Sequence, residues 1–85
     1  MDPIQSTLTR YILDQFLPGE NESNLTPQTP LISGGVLDSL ATVQVASFLE
    51  EHYGIELAPH EAGIDYLDTI EKMAELVRAK KGSAL

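Results

Sequence analysis

The chain contains few side chains that could carry out chemistry by themselves. It has no cysteine, and its histidines are His52 and His60. Ser39 is the candidate nucleophile, because it follows Asp38 and a glycine pair where a long apolar-periodic segment begins. A serine hydrolase needs a base within hydrogen-bond reach and donors for the oxyanion. His52 lies about 19 Å farther along the same predicted helix at 1.5 Å per residue, and the Gly-x-Ser-x-Gly pattern is absent. We therefore expect no enzyme.

Metal and nucleotide chemistry also lack a pattern in this sequence. The acidic pairs around Glu20 and Glu50 do not have the alternating spacing of a calcium loop. The glycine pair is not followed by the Gly-Lys-Ser/Thr ending of a phosphate-binding loop. Two interpretations of Ser39 remain open: it caps a helix by accepting a bond from a free backbone N–H, or it presents its hydroxyl for another enzyme to modify. A phosphodiester at a helix N-terminus would meet favourable dipoles and free N–H groups.

The apolar periodicity predicts the elements that must position Ser39. It indicates an all-α fold, a small antiparallel four-helix bundle with three longer helices, one short helix and a long first loop. The predicted elements are a helix over 4–17, a loop over 18–30 pinned by Leu25 and Leu31, a helix over 38–53 stopped by Gly54, a short turn from Pro59 limited by Gly63, and a last helix capped by Asp68 and Glu71.

Composition sets the class of protein. With 85 residues and 42% hydrophobic content, the chain fits one domain over 1–85, with a frayed tail at about 82–85. A net charge of −8 repels phosphate backbones and favours basic protein partners, although it also fits plain solubility. No apolar run reaches the roughly 20 residues of a membrane span. We expect a monomeric cytoplasmic protein that binds neither nucleic acid nor membrane.

The second predicted helix has two apolar faces. At about 100° per residue, its core face is formed by Thr42, Val45, Ala46, Leu49 and Tyr53. A different sector, which we term the docking face, comprises Val36, Leu40, Val43 and Ser47, with acidic Glu50 at its edge. A domain this small buries one stripe of each helix, so the docking face should be partly exposed and suited to a partner. The alternative is that the short third helix covers it.

The segment Leu37-Asp38-Ser39-Leu40, opening a helix that ends in Glu50-Glu51-His52-Tyr53-Gly54-Ile55, closely resembles the carrier-protein family. This family comprises acyl, peptidyl and D-alanyl carrier proteins, and the resemblance extends over nearly the whole chain. Fatty-acid carriers usually place acidic residues after the motif, where this chain has Ala41 and Gln44. The sequence is therefore more similar to stand-alone aminoacyl or specialised acyl carriers.

The resemblance implies that Ser39 receives a 4′-phosphopantetheine arm from coenzyme A through a magnesium-dependent phosphopantetheinyl transferase. The arm's thiol would hold cargo as a thioester, which accounts for a carrier without cysteine. The resemblance also implies that Asp38 helps to present the site and to hold the transferase's metal, and that Leu40 and Val43 contact partner enzymes. We expect a carrier that moves intermediates of secondary metabolite biosynthesis between an acyl- or amino-acid-activating ligase and downstream enzymes. The alternative is an unmodified helical interaction module that uses the docking face, with Ser39 only as a cap.

Overall fold

Helices account for all the regular structure in residues 3–21 and 24–83, the part of the chain that the computed structural model describes. The elements are α1 (Pro3–Phe16), α2 (Ser39–Tyr53), a 3₁₀ turn (Pro59–Glu61), α3 (Ile64–Leu67) and α4 (Ile70–Ser83). These residues contain no strand, so the all-α prediction of three long helices and one short one is confirmed. Helix α4 extends to Ser83, into the segment predicted to be frayed, and residues 84–85 of that segment lie outside the described part.

The core is built from one stripe of each long helix and from three leucines of the connecting loop. Leu25, Leu31 and Leu37 are buried, which confirms that the first two pin the loop. Each fully buried leucine contributes about 1.5–3 kcal/mol by leaving water. The helical members are Leu8 and Ile12 of α1, Val45, Ala46 and Leu49 of α2, Leu67 of α3, and Ile70, Met73, Ala74, Leu76 and Val77 of α4.

Aromatic stacking fixes α2 against α1. The rings of Tyr11 and Phe48 lie 3.8 Å apart at 13°, and His52 stacks on the other end of this pair, 5.0 Å from Phe48. Burial raises the pKa of the Tyr11 phenol, with a smaller contribution from the negative charge of Glu51. The orientation of α2 is therefore set by ring contacts as well as by its buried aliphatic stripe.

Asp38, and not Ser39, caps the start of α2. The Asp38 backbone is extended, its Oδ1 accepts the Ala41 N–H at 2.8 Å, and Ser39 is the first helical residue. The interpretation of Ser39 as the helix cap is therefore wrong. At the other end, Gly54 ends the helix as predicted, with a left-handed φ of 66° and its N–H bonded to the Glu50 carbonyl.

The short α-helix does not lie where the sequence indicated. The predicted turn at Pro59 exists as a 3₁₀ turn, whereas α3 follows Gly63 and has only four residues. A helix of that length shows no periodicity, so the pattern could not reveal it. The 3₁₀ turn is closed by Glu61, whose Oε1 accepts the Ala58 N–H at 2.8 Å and pairs with Lys80 of α4.

The start of α4 also differs from the prediction that Asp68 caps it together with Glu71. Thr69 takes the capping position, since its Oγ1 accepts the Lys72 N–H at 3.1 Å. The Glu71 carboxylate instead accepts a hydrogen bond from the side chain of Gln28 in the first loop. Hydrogen-bond donors from the first loop thus occupy the two carboxylates that the predicted capping box would have used.

Asp68 binds the first loop to the start of α4. Its Oδ1 accepts the N–H groups of Ile32 at 2.8 Å and Ser33 at 2.9 Å, and its Oδ2 accepts the Ser33 hydroxyl at 2.8 Å. These bonds, the Ser33 backbone first, lower the pKa of the Asp68 carboxyl against an opposing effect of burial.

No helix in the described ranges has the length and apolarity to cross a bilayer.

The cap at Asp38 predicts unequal effects of two neighbouring substitutions. Asp38→Ala removes the acceptor for Ala41 N–H and should lower the free energy of unfolding by about 1 kcal/mol. Ser39→Ala removes an exposed hydroxyl and should change it by less than about 0.5 kcal/mol. Urea unfolding followed by circular dichroism measures both. A larger loss for Ser39→Ala than for Asp38→Ala would contradict the assignment of the cap.

The Asp68 bonds predict acid sensitivity. Because they lower the folded-state pKa, their stabilisation is complete above the unfolded-state pKa of about 3.9 and is lost as pH falls through the lower folded-state value. The unfolding free energy of the wild type should therefore fall more steeply below about pH 4 than that of Asp68→Asn. Urea titrations at a series of pH values test this, with Asp65→Asn on α3 as the matched carboxylate removal. Parallel curves for the wild type and Asp68→Asn would refute it.

Candidate functional site

Ser39 lies exposed on the first turn of α2. Its hydroxyl makes no hydrogen bond with any residue in the described ranges, and the N–H groups of Ser39 and Leu40 likewise have no protein partner there. The next two N–H groups are taken by Asp38, whose side chain accepts from Ala41 and whose carbonyl accepts from Thr42. The site thus combines a free hydroxyl with free backbone donors at the positive end of a helix dipole.

An open groove of about 540 Å³ lies beside Ser39. One wall comes from α2 and the loop before it, and the other comes from the segment that enters α3. Ile64, the first residue of α3, lies on this second wall, and its side chain is 48% exposed. The groove is lined by Ile32, Leu37, Asp38, Ser39, Thr42, Val43, Ala62, Gly63 and Ile64.

Ile64 was not predicted from the sequence as part of the site. The available signal was an apolar residue directly after a glycine, in a segment too short to bury more than one side chain. In the structure only Leu67 of the four α3 residues is buried, while Ile64 and Tyr66 are both exposed. Ile64 therefore extends the apolar surface around Ser39 from α2 to α3.

Most of the docking face is exposed as expected. Leu40 is 69% and Val43 58% exposed, and Ser47 is exposed too. The short third helix does not cover them. Val36 differs, because it is half-buried against the core and its N–H donates to the Leu31 carbonyl at 2.8 Å.

Glu50 stands apart from the rest of the docking face. It is half-buried, and its Oε2 accepts the Leu57 N–H at 2.9 Å. It lies eleven residues beyond Ser39, about 16 Å along the helix axis. Within the fold it therefore holds the segment that leaves α2, and a contact with partners stays a prediction.

Neither histidine lines the groove. His60 is exposed and its ring lies 6.1 Å from that of Tyr66, while His52 is exposed and stacked on Phe48. Both are solvent-facing, as predicted. Within residues 3–21 and 24–83, no three histidine or acidic side chains come together as metal ligands.

Comparison with known proteins identifies the family. The family model described as "Phosphopantetheine attachment site" matches residues 17–77. The chain is 31% identical over 78 residues to the "Probable acyl carrier protein PigG" of Serratia sp. (strain ATCC 39006), covering 92% of this chain and 88% of that protein.

The first turn of α2 suits a phosphopantetheine group. An exposed hydroxyl is accessible for esterification, the free N–H groups are donors for phosphate oxygens, and the open groove leaves room for a linear chain. The matched residues 17–77 include all of these features. The chain therefore belongs to the carrier proteins that bear 4′-phosphopantetheine, which interact with transferases, ligases and synthases and catalyse no reaction of their own.

Proposed function

We propose that Ser39 is the attachment residue and that the chain is a discrete acyl or aminoacyl carrier. In this role it passes a thioester-bound intermediate between the enzymes of a specialised biosynthetic pathway in the cytoplasm. The observation that carries the proposal is the exposed hydroxyl of Ser39 on the first turn of α2, which has no hydrogen-bond partner in the described part of the chain. The relative PigG supports the carrier role, because it is described as a probable acyl carrier protein and the alignment spans 88% of its length.

The other hydroxyls on hand are less suited than Ser39. The Ser33 hydroxyl donates to Asp68, and the Thr42 hydroxyl donates to the Asp38 carbonyl at 2.8 Å. Ser47 is exposed but lies in the middle of α2, where backbone N–H groups are already paired within the helix. Ser39 combines exposure with free neighbouring donors.

Attachment to Ser39 is a phosphoryl transfer from coenzyme A. The Ser39 Oγ attacks the β-phosphorus and forms a new P–O bond, while the bond to adenosine 3′,5′-diphosphate breaks and that leaving group keeps the electron pair. The hydroxyl proton passes to a base of the transferase. In the proposed transfer, the exposed carboxylate of Asp38 beside the serine would contribute to the magnesium site of the transferase.

The residues around Ser39 then serve the attached group. The free N–H groups of the first turn and the helix dipole stabilise the phosphodiester. When bound, the group supplies a terminal thiol, which this cysteine-free chain lacks and which holds cargo as a thioester.

The docking face gives partner enzymes their contact with the carrier. Leu40 and Val43 offer apolar area beside Ser39, and the net charge of −8 steers basic partner surfaces toward the chain. The partners we propose are a phosphopantetheinyl transferase, an activating ligase and downstream biosynthetic enzymes. The uncharged Ala41 and Gln44 near the serine favour a specialised pathway over the acidic pattern of fatty-acid carriers.

The second candidate is an interaction module without modification, favoured by the same exposed apolar side chains. It requires partner binding that is independent of the Ser39 hydroxyl.

Incubation with coenzyme A, magnesium and a promiscuous phosphopantetheinyl transferase should add one phosphopantetheine to the wild type, seen in the intact mass. Ser39→Ala should stay unmodified because it lacks the only proposed acceptor. Ser6→Ala, which removes an exposed hydroxyl from α1, is the matched control and should be modified fully. An unmodified wild type would favour the interaction module, and a modified Ser39→Ala would move the attachment elsewhere.

Val43→Asp should lower the rate of modification at least about tenfold, since it places a charge where a partner buries apolar area. Val43 is 58% exposed, so the helicity measured by circular dichroism should not change. Ala79→Asp, an exposed site on α4, introduces the same charge away from Ser39 and should leave the rate unaltered. Equal rates for both variants would remove the docking face from transferase recognition.

A further inference from the structure

The orientation of Ser39 depends on its backbone, because its side chain makes no hydrogen bond with residues 3–21 or 24–83. The residue before its cap, Leu37, is buried with 2% exposure. Leu37 N–H donates to the Leu31 carbonyl at 2.9 Å, and Val36 N–H donates to the same oxygen at 2.8 Å. The turn from Leu31 to Leu37 thus leads directly into the first turn of α2.

This turn has little room to adjust. A Cβ on Gly34 would lie 2.2 Å from the carbonyl oxygen of Pro30, so this position has no room for a side chain. Because the Leu31 carbonyl accepts the N–H groups of Val36 and Leu37, a contact that holds Leu31 also restrains Leu37.

Asp68 holds the start of that turn by hydrogen bonds from the junction of α3 and α4. Its carbonyl accepts the Leu31 N–H at 2.6 Å, and its carboxylate accepts the N–H groups of Ile32 and Ser33 and the Ser33 hydroxyl. Asp68 also directly follows α3, which carries Ile64 on the opposite wall. One residue thereby joins the loop before Ser39 to the helix that faces it.

We propose that Asp68 is a positioning residue of the attachment site: through the bonded turn of residues 31–37 it sets the position of the first turn of α2, with the Ser39 hydroxyl, relative to Ile64 on the opposite wall of the groove. This inference rests on the proposed function of Ser39. It assigns to Asp68 a role in the rate of phosphopantetheine transfer, in addition to its contribution to folding. Transfer needs the docked transferase and the hydroxyl in register, and a displacement of about 1 Å can cost a factor of up to 10² in rate.

Asp68→Ala and Asp68→Asn separate the geometry from the charge. Asp68→Ala removes both side-chain acceptor oxygens and with them all three side-chain hydrogen bonds. Asp68→Asn keeps an oxygen for the Ile32 and Ser33 N–H groups, and its amide can donate to the Ser33 hydroxyl oxygen. Glu75→Ala on α4 removes an exposed carboxylate and is the matched control. All four proteins are compared at a temperature where circular dichroism shows each to be fully folded.

The rate of transfer from coenzyme A is measured by intact mass at a series of carrier concentrations. We expect kcat/KM to fall about tenfold for Asp68→Ala, with the loss in kcat because Leu40 and Val43 still dock the transferase. Asp68→Asn and Glu75→Ala should stay within about twofold of the wild type. Amide ¹⁵N relaxation should show lower order at Ser39 in Asp68→Ala alone.

A folded Asp68→Ala with wild-type kcat/KM would overturn the inference and leave Asp68 with a purely structural role. A fall in Asp68→Asn as large as that in Asp68→Ala would also overturn it, because charge and not geometry would then govern the rate. Failure of the wild type and of Glu75→Ala to be modified at all would instead refute the proposed function, and the inference with it.

Discussion

The hydrogen bond from the Ala41 N–H to the Asp38 carboxylate makes Asp38 the cap of α2, so the neighbouring Ser39 is not needed for that role. A helix start requires an acceptor for its free N–H groups, and serine commonly provides one. Because Asp38 does so here, the Ser39 hydroxyl is exposed and has no hydrogen-bond partner among the residues that the structure describes. The same bond fixes the helix start, so the serine is free in its side chain and fixed in its backbone. A site for modification by another enzyme needs both properties.

Around this point the fold leaves apolar side chains in water because it is too small to bury them. Helix α2 buries one stripe of side chains, which includes Val45 and Leu49, in the core. Leu40 and Val43 therefore lie on its outer side. Helix α3 has four residues and buries only Leu67. Since both helices border the groove beside Ser39, their unburied residues surround the serine. The limit on core size thus places an apolar surface next to the proposed attachment point.

The sequence predicted what depends on periodicity and on local caps, and it failed where distant residues compete. The long helices, the stop at Gly54, the buried Leu25 and Leu31 and the exposed Leu40 and Val43 all follow from local pattern. The capping role of Asp68 was predicted from local pattern as well. It was wrong because N–H groups of Ile32 and Ser33, more than thirty positions away, occupy its carboxylate. Helix α3 and its Ile64 were not predicted, because four residues are too few to show a helical period. At the proposed site, Asp38 and Ser39 were predicted from their types and order, whereas only the structure could show that the Ser39 hydroxyl has no hydrogen-bond partner among residues 3–21 and 24–83.

The exposed Leu40, Val43 and Ile64 affect how copies of this chain interact with one another in solution. Exposed apolar side chains of one copy should attract those of another copy, and a concentrated solution would then be lost to self-association. The net charge of −8 opposes that loss, since two copies repel one another over the screening distance of about 8 Å at physiological salt. A surface with the opposite charge meets no such barrier. The acidic excess therefore keeps copies of this chain apart, while the exposed apolar side chains stay accessible to proteins with basic surfaces.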